Sequence, residues 1–588
     1  MSVTPAAPVA GRISPGEPRF GGTLRLYGPT GVDHLDPACA YHPTSRQLLR
    51  AVARQLFAYP ATVDLSDPAR VFTPVADLAV EVPTRANGGL SVDRRTYTVR
   101  LRPDVRWDTV PRRVVSAADV VRGFKRLGNP VTGTGGLGYF TSTIDGMREY
   151  CAGYAAAFAG RVPRAAELAR YQNAHEIPGI RAVDDRTVVF RLIRPAADFL
   201  DILATGFASP APVEYDEWVP DSPEFRENLR ANGPYRLARY RDGGRFLAFD
   251  RNPAWNPDTD LVRGQFVDTI ELRTGTEPVA AILDRLDRCE VDLAWCPAEA
   301  SWARTLPARE GTVRGFPGYA LNPYLVFNLR SPNARAATGD VLVRRAIGYA
   351  VDRRAVVRIM RMLDAPSRPL YGTIPPGSVG YRAGNPYPAP GDRGDPVTAR
   401  RLLTRAGYPG RLRLVAAVRR ADLPRKVMES IAADLERIGI DLDVRAYDEA
   451  EYYGRLLSDP TRGAAGEWDL AESAWTPDWF GNNGRAVVQP LFQTDDNPGT
   501  RNYGGYHSST VDALIERALA EPDPSRADDL WHRVDRQVMA DAPVVPIAAV
   551  AAMPARYHSP RVRNARYLPQ SRSFDLTSVW LDPPEEGS

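Results

Sequence analysis

Residues 411–446 read RLRLVAAVRRADLPRKVMESIAADLERIGIDLDVRA. Arg411–Val418 is an apolar extended run, Pro424–Ile438 carries apolar residues at helical spacing and stops at Gly439, and Ile440–Ala446 is extended again. Strand, helix and strand in this order form the unit that builds parallel sheets, because parallel neighbours need a long crossover. The stretch therefore predicts an α/β lobe. Working outward, Asp395–Ala406 reads as a helix closed by Gly407, and Val341–Met360 as one long helix with Asp352-Arg353 in its middle. Tyr324–Leu329, YLVFNL, is nearly continuously apolar, as expected of a strand buried on both faces. Downstream, helices are expected at Thr510–Ala520 and Pro524–Ala540, and a final buried strand at Val544–Ala549.

The N-terminal half alternates in the same way. Residues 1–20 are rich in Pro, Gly, Ala and Ser and read as a disordered lead. Gly21–Tyr27 is a strand, Asp33–Ala38 a loop with an Asp-Pro turn, and Ser45–Tyr59 a helix for which Ser45 is the expected N-cap. Thr96–Leu101 and Thr187–Leu192 are alternating strands, and Ser116–Leu127 is a helix whose Ser116 and Asp119 form a capping box. Asn232–Leu237 turns into a strand, with further strands at Phe246–Asp250, Asp268–Arg273 and Val291–Ala294.

With 588 residues the chain is too long for one hydrophobic core. Hydrophobic content of 44% and charged content of 25% are those of a globular protein, and the 53 prolines and 47 glycines call for many loops. Seventy-five basic residues against 71 acidic leave a net charge of only +4, which gives no reason to expect nucleic acid as a partner. No apolar run reaches 18 residues, so no membrane span is expected. The first 20 residues have neither a basic start nor an apolar core, so no secretory signal is visible. None of the four cysteines forms a CxxC pair. Cys289 and Cys296 flank an extended segment whose ends lie roughly 20 Å apart, beyond the reach of a disulfide; free thiols are expected.

A second stretch carries the candidate site. Residues 468–483, WDLAESAWTPDWFGNN, place Asp478 among Trp475, Trp479 and Phe480. Trp468–Ala471 reads as a short buried strand, and the Gly-Asn run after Phe480 as a loop, since both residues tolerate positive φ. A poorly solvated carboxylate beside aromatic faces suits a cationic amine, which gains a charge-assisted hydrogen bond and ring contacts. The same residues also suit a loop aspartate capping backbone N–H groups beside core aromatics.

Taken in order, GGTLRLYG, HLDPA, TYTVRLRPDVRW and SAADVVRGFKRL resemble the opening of the family 5 extracellular solute-binding proteins, the peptide- and nickel-binding proteins of bacterial ABC importers. NGPYRL, RNPAWN, VDTIELR and EVDLAW continue the match, which is strongest at Val343–Arg353, VRRAIGYAVDR. ARRLLTRAGYPG, LERIGIDLDVR, STVDALIERAL and PVVPI complete it, so that it covers nearly all of residues 21–550. The resemblance implies an α/β fold of the type II periplasmic-binding-protein kind, with two lobes joined by a hinge and an extra domain inserted in the first. On that basis lobe I is expected at 21–57, 191–275 and 546–588, the inserted domain at 58–190 and lobe II at 276–545, with crossings near 275 and 545. It implies capture of a peptide or amine-bearing small molecule in an interlobe cleft by hinge closure. In this picture the protein is a monomer outside the cytoplasmic membrane that delivers its ligand to an ABC permease in transmembrane transport.

The resemblance also implies site residues. In peptide-binding members an aspartate in a Trp/Tyr-rich loop of lobe II holds the ligand amine, and Asp478 falls at that position. Trp475, Trp479 and Phe480 then line the pocket, and Tyr41 and His42 come from the loop after the first strand; Asn328, on the apolar strand, is a weaker candidate, with a buried amide pairing with backbone as its alternative. The usual tyrosine and second acid are replaced here by Trp479, Phe480 and Gly481-Asn482-Asn483, a more aromatic and less acidic wall.

Enzyme signatures are missing. The six histidines make no HxxH or HExxH set, and there is no GxSxG elbow or P-loop. No cofactor, metal site or catalytic residue is expected. The absent signal keeps one alternative: a cytoplasmic protein of this fold repurposed as an enzyme or carrier in metabolite biosynthesis.

Overall fold

The structure is a computed structural model that describes residues 17–28, 31–62, 71–275, 277–294, 312–313, 317–362, 367–481, 483–495, 500–552, 556–571 and 573–583. Most of the expected N-terminal lead, together with Trp295, Cys296 and Asn482, lies outside the described residues. The chain divides into two compact units. The first holds residues 1–298, 302–315 and 555–588, and the second 299–301 and 316–554.

The first unit includes the strands β1 (Thr23–Gly28), β2 (Thr96–Arg100), β3 (Ile180–Asp184), β4 (Thr187–Arg191), β5 (Tyr235–Arg241), β6 (Phe246–Arg251), β7 (Thr269–Thr274) and β8 (Leu293–Ala294), besides several two-residue strands. Five of them form a mixed sheet in the order β8-β1-β7-β6-β5. β1 runs parallel to β7, with Leu24 opposite Ile270 and Leu26 opposite Leu272. These residues point to the buried face, where Leu48, Leu49 and Val52 of helix α1 (Pro43–Val52) cover them. Residues between α1 and β5 add a separate antiparallel sheet, β2-β4-β3, packed against helix α2 (Ala117–Leu127). α2 has the expected capping box: the Ser116 side chain accepts from the Asp119 backbone, and Asp119 accepts from that of Ser116.

Helix α1 departs from expectation at both ends. It begins at Pro43 and stops at Val52, and its N-cap is His42. Ser45 is not a cap because its hydroxyl donates to Asp33. The C-terminal end is set by the Asn-Gly turn of the NGPYRL segment. Asn232 and Gly233 donate backbone N–H groups to the Val52 carbonyl, and Asn232 Oδ1 accepts from the Arg54 backbone at 2.8 Å. Gly233 is required by close approach, since a Cβ there would stand 2.7 Å from the Ala51 carbonyl oxygen.

Arg54 and Arg263, both fully buried, face Asp77 and Asp260. Arg54 Nε lies 2.8 Å from Asp77 Oδ1, and Arg263 Nη1 lies 2.8 Å from Asp77 Oδ2. Burial opposes the charge on Arg263, but Asp77 and Asp260 outweigh it and raise its pKa. Asp260 is lowered: burial works against ionisation, and the charges of Arg263 and Arg54 overcome it.

A second buried acid has no such cation. The Tyr59 hydroxyl donates to Asp201 at 2.5 Å, and burial, with Asp198 nearby, pushes the Asp201 carboxyl up to about 8. The folded chain therefore holds a proton that the unfolded chain releases near pH 4. The resulting stability is complete below that pH and is lost as pH rises through about 8. Asp201→Asn, which keeps an acceptor for Tyr59, is expected to stabilise the protein relative to wild type by at least about 2 kcal/mol more at pH 8 than at pH 4. Thermal unfolding at the two pH values checks this, and equal differences at both would contradict it.

The second unit contains β9 (Pro317–Phe327), β10 (Ser367–Pro369), β11 (Leu412–Arg419), β12 (Ile440–Tyr447), β13 (Leu470–Trp475), β14 (Val544–Pro546) and β15 (Ala548–Ala552). Their order is β10-β15-β9-β13-β11-β12, and β14 also pairs with β9. β11, β12 and β13 run parallel; β9 is antiparallel to β13. The longer helices are α3 (Val341–Ala350), α4 (Arg353–Met362), α5 (Pro396–Arg405), α6 (Asp422–Glu436), α7 (Gly484–Phe492), α8 (Ser509–Ala520) and α9 (Pro524–Asp541). α6 crosses from β11 to β12, and its Val427, Met428, Ile431 and Leu435 pack in one core with Leu414, Ala416 and Leu470. Gly439, at φ +88, reverses the chain into β12.

Two expectations are corrected here. The helix predicted over 341–360 is two helices, because Val351 is extended and Asp352 restarts the turn by accepting from the Ala355 backbone at 2.8 Å. Arg353, buried and in no ion pair with a carboxylate among the described residues, donates to the carbonyls of Gly348, Leu370 and Pro546 across that break. The crossings expected near 275 and 545 fall later. β8 joins the first sheet beside β1, and β14 and β15 join the second beside β9, so 277–294 belongs with the first unit and 546–552 with the second.

Candidate ligand-binding site

In the second unit the carboxyl ends of β11, β12 and β13 share one edge, where Arg419, Tyr447 and Trp475 end their strands. Ligands of α/β sheets bind outside the carboxyl ends of strands. β13 extends further than expected and delivers the chain directly into Thr476–Gly481. There Asp478 is 4% exposed, Trp475 7%, Trp479 0% and Phe480 4%. The loop is held at both ends. Trp475 Nε1 donates to the Ala486 carbonyl on α7 at 2.9 Å. Asn483 accepts from the Val379 backbone at 3.1 Å and donates to Ser378 Oγ at 3.1 Å. Three predicted aromatics and one predicted acid thus lie together in a buried, largely apolar segment at the end of β13.

The same edge holds groups that sequence reading missed. Glu472 of β13, 1% exposed, takes both Arg419 Nη2 at 2.8 Å and Nε at 3.2 Å. Burial works against the Arg419 charge, and Glu472 more than restores it, so the guanidinium pKa is raised. Its carbon lies 5.7 Å from the Tyr453 ring centre, and Tyr453 in turn lies 6.0 Å from Tyr503. Tyr452 donates its hydroxyl to the Ala417 and Glu472 carbonyls, from a π-helical turn at Tyr452–Leu457. No local signal marks these partners, because Arg419 and Glu472 are 53 residues apart.

Asn328 is not part of this edge. It follows β9 directly, where Phe327 pairs with Leu470 at the start of β13, a strand length of about 20 Å from Trp475. Its Nδ2 donates to the carbonyls of Gly463 at 2.9 Å and Trp468 at 2.7 Å, and its Oδ1 accepts from the Arg330 backbone at 3.1 Å. The amide that seemed available to a ligand is consumed by backbone, and Asn328 acts by fixing the entry to β13.

Tyr41 and His42 lie in the first unit, on the loop between β1 and α1. Asp33 organises that loop: Oδ2 accepts from the backbones of Tyr41 and His42, each at 2.9 Å, and Oδ1 from that of His34. Burial disfavours the Asp33 carboxylate, but His42, His34 and the Ser45 hydroxyl hold its pKa below the usual range. The Tyr41 ring lies 5.7 Å from that of Phe207, with the Arg46 guanidinium 4.7 Å from its centre. Both candidates are half-buried on a well-fixed backbone.

His34, Cys39 and Asp221 bring ligand-type atoms within 4.8 Å of one another. Asp221 is already committed to the backbones of Leu35 and Asp36, to Arg226 and to His34 Nδ1. Burial also pushes the Cys39 thiol well up. The trio is built as a loop clasp, and its donor set is pre-empted for a cation.

The family model of bacterial extracellular solute-binding proteins, family 5 (middle region), matches residues 73–497. The dipeptide-binding protein of Escherichia coli K12 is 27% identical over 476 residues, 78% of this chain and 79% of that protein. The probable deoxycholate-binding periplasmic protein of the same organism is 26% identical over 461 residues, 77% of each. Among solved structures, clavulanic acid biosynthesis oligopeptide binding protein 2 superposes with a TM-score of 0.78 at 26% identity, covering 98% of this chain and 100% of that one.

Proposed function

The chain belongs to the bacterial extracellular solute-binding proteins of family 5, and from that premise we propose that it captures a peptide or another amine-bearing solute for an ABC permease. Asp478 pairs with the ligand cation; Trp475, Trp479 and Phe480 supply contact area. Tyr41 and His42 supply a second surface from the first unit. The protein works as a single chain outside the cytoplasmic membrane and performs no chemistry on its cargo. Among the described residues no helix is long and apolar enough to cross a membrane.

The observation that carries this reading is the buried acid set among three buried aromatics at the carboxyl edge of the sheet. A buried carboxylate beside aromatic faces suits a cationic amine, which gains a charge-assisted hydrogen bond that a neutral or acetylated analogue does not. Relatives named for a dipeptide and for deoxycholate differ in this respect, since only the former offers an ammonium group. The acid favours the peptide class.

The test is thermal unfolding against di- to pentapeptides, their N-acetylated forms and free amines. A free-amine peptide at about 100 times its Kd is expected to add roughly 2.7 kcal/mol of stability. Asp478→Asn is expected to weaken that binding by about 10- to 100-fold, with the melting temperature of the unliganded variant recorded alongside so that lost structure is separated from lost binding. If acetylated peptides stabilise the protein as well as free ones, amine capture is wrong.

A further inference from the structure

Residues 373–380, TIPPGSVG, lie between β10 and α5. Pro375 and Pro376 fix their own φ, and the chain then makes two tight turns in succession. The Ser378 N–H donates to the Pro375 carbonyl at 3.2 Å, and the Tyr381 N–H to the Ser378 carbonyl at 3.2 Å. Gly377 at φ +90 and Gly380 at φ +87 take the left-handed third position of the two turns.

The anchors of this strap come from two other elements. On α9, Asp528, Trp531 and Asp535 follow one another at spacings of three and four residues and share one face. Asp535 Oδ1 accepts from the Thr373 backbone at 2.6 Å and from its hydroxyl at 2.7 Å. Asp528 Oδ1 accepts from the Gly380 backbone at 2.6 Å. The strap is thus pinned to α9 at both ends. Beside the second of these pins it is joined to the Asp478 loop, since Asn483 accepts from the Val379 backbone and donates to Ser378 Oγ, each at 3.1 Å. Thr373, Ser378, Asn483 and Asp535 are all buried. Trp531 lies against both partners. A Cβ at Gly380 would stand 2.6 Å from the Trp531 Cβ, and a Cβ at Gly484, the residue after Asn483, 2.5 Å from the indole. The strap and the exit of the Asp478 loop are packed on the same side chain, so a shift of either meets it.

We propose that Asn483 and Asp535 are positioning residues, which transmit the fixed geometry of α9 through the 373–380 strap to the Asp478 loop. Neither touches the ligand in this assignment. Asp535 acts through Thr373 and the strap, and Asn483 through the backbone at the end of the loop. The use of that position for capture rests on the proposed role of Asp478, whereas the coupling of α9 to the loop does not.

The test is backbone hydrogen exchange on the unliganded full chain, read by mass spectrometry over residues 371–382 and 474–486. Asn483→Ala is expected to speed exchange at 474–486 tenfold or more. Asp535→Ala is expected to do the same at 474–486, although its bonds go to Thr373, and Asp535→Asn, which keeps an acceptor for Thr373, is expected to restore most of the protection. Ser378→Ala cuts the link to Asn483 more mildly and is expected to give a smaller rise; it decides the matter where Asp535→Ala does not fold. Asp395→Ala, which removes the N-cap of α5 on the same unit, is expected to leave 474–486 as in wild type. Binding of trialanine, a free-amine peptide, is titrated on the same preparations, and Asn483→Ala and Asp535→Ala are expected to weaken it tenfold or more. The proposal is overturned if neither Asn483→Ala nor Ser378→Ala speeds exchange at 474–486, if Asp535→Ala acts at 371–382 alone, or if Asp535→Asn rescues nothing. It is also overturned if protection falls equally across both units, which would make these residues ordinary supports of the fold, or if variants with a loosened loop bind trialanine as tightly as a binding wild type. If exchange behaves as expected and trialanine binds not even wild type, the coupling stands and amine capture is the reading that fails.

Discussion

Asp77→Ala is expected to destabilise the first unit by about 3–5 kcal/mol, the largest effect of any single change considered. The reason is the count of buried charges. Arg54 and Arg263 are fully buried and share two carboxylates, Asp77 and Asp260. Removing Asp77 leaves two guanidiniums with one acid, and Asp260 is also engaged by the Trp255 indole and the backbones of Val262 and Arg263. Arg54 keeps its bonds to Thr259, but Arg263 Nη1 loses its 2.8 Å partner. Asp77 is 23 residues from Arg54 and far along the chain from Asp260 and Arg263, so the lost stability falls where these chain segments meet. Urea unfolding checks the magnitude. The double change Asp77→Ala with Arg263→Met is expected to recover part of the loss, since it removes a stranded charge along with its partner. A loss below about 1 kcal/mol would mean that water reaches the site and that the network is not a dry one.

Asn328→Ala is expected to cost about 2–4 kcal/mol, from three backbone groups left unpaired in a site with no exposure. The same change distinguishes the two roles open to this residue. As a holder of the entry to β13, Asn328 changes stability strongly and ligand affinity only through the loop that β13 carries. As a ligand contact it would change affinity with little effect on the unliganded protein. Calorimetry and ligand titration on the same preparation separate these results, and a variant with wild-type melting temperature and lost binding would reverse the assignment made here.

Much of the architecture is legible in the chain because it depends on local rules. The β11-α6-β12 unit follows from two apolar runs, a helical spacing and Gly439. The capping box of α2 is a four-residue pattern and is found as written. What was misread involves a distant competitor. Ser45 satisfies every local criterion for an N-cap, but Asp33 claims its hydroxyl from 12 residues away. Val341–Met360 has helical spacing throughout, and only the buried guanidinium of Arg353, reaching for carbonyls at 370 and 546, reveals a break. The Asp478 loop was visible as composition, an acid among aromatics. Its neighbour, the Arg419–Glu472 pair, was not, because pairing across 53 residues leaves no spacing to read. Asn328 was open to two readings, ligand contact or buried amide, and its bonds to backbone and its register at the far edge of the sheet fit the second.

The first sheet's β8 is clasped by residues from the other end of the chain. Asp292 takes both Arg561 nitrogens and Ser559, and Val562 pairs with Leu581. In the second unit β9 pairs with β14 and β15, more than 200 residues later. A ribosome working at the usual pace needs about 30–120 s to complete such a chain. Throughout that time neither unit owns all of its strands. The second becomes closable only when residue 552 has emerged, and the first, though begun earlier, closes last. The order of synthesis is thus the reverse of the order of completion, and the nascent polypeptide spends nearly its whole birth as an unfinished sheet with open edges, a client for whatever holds unfolded chains.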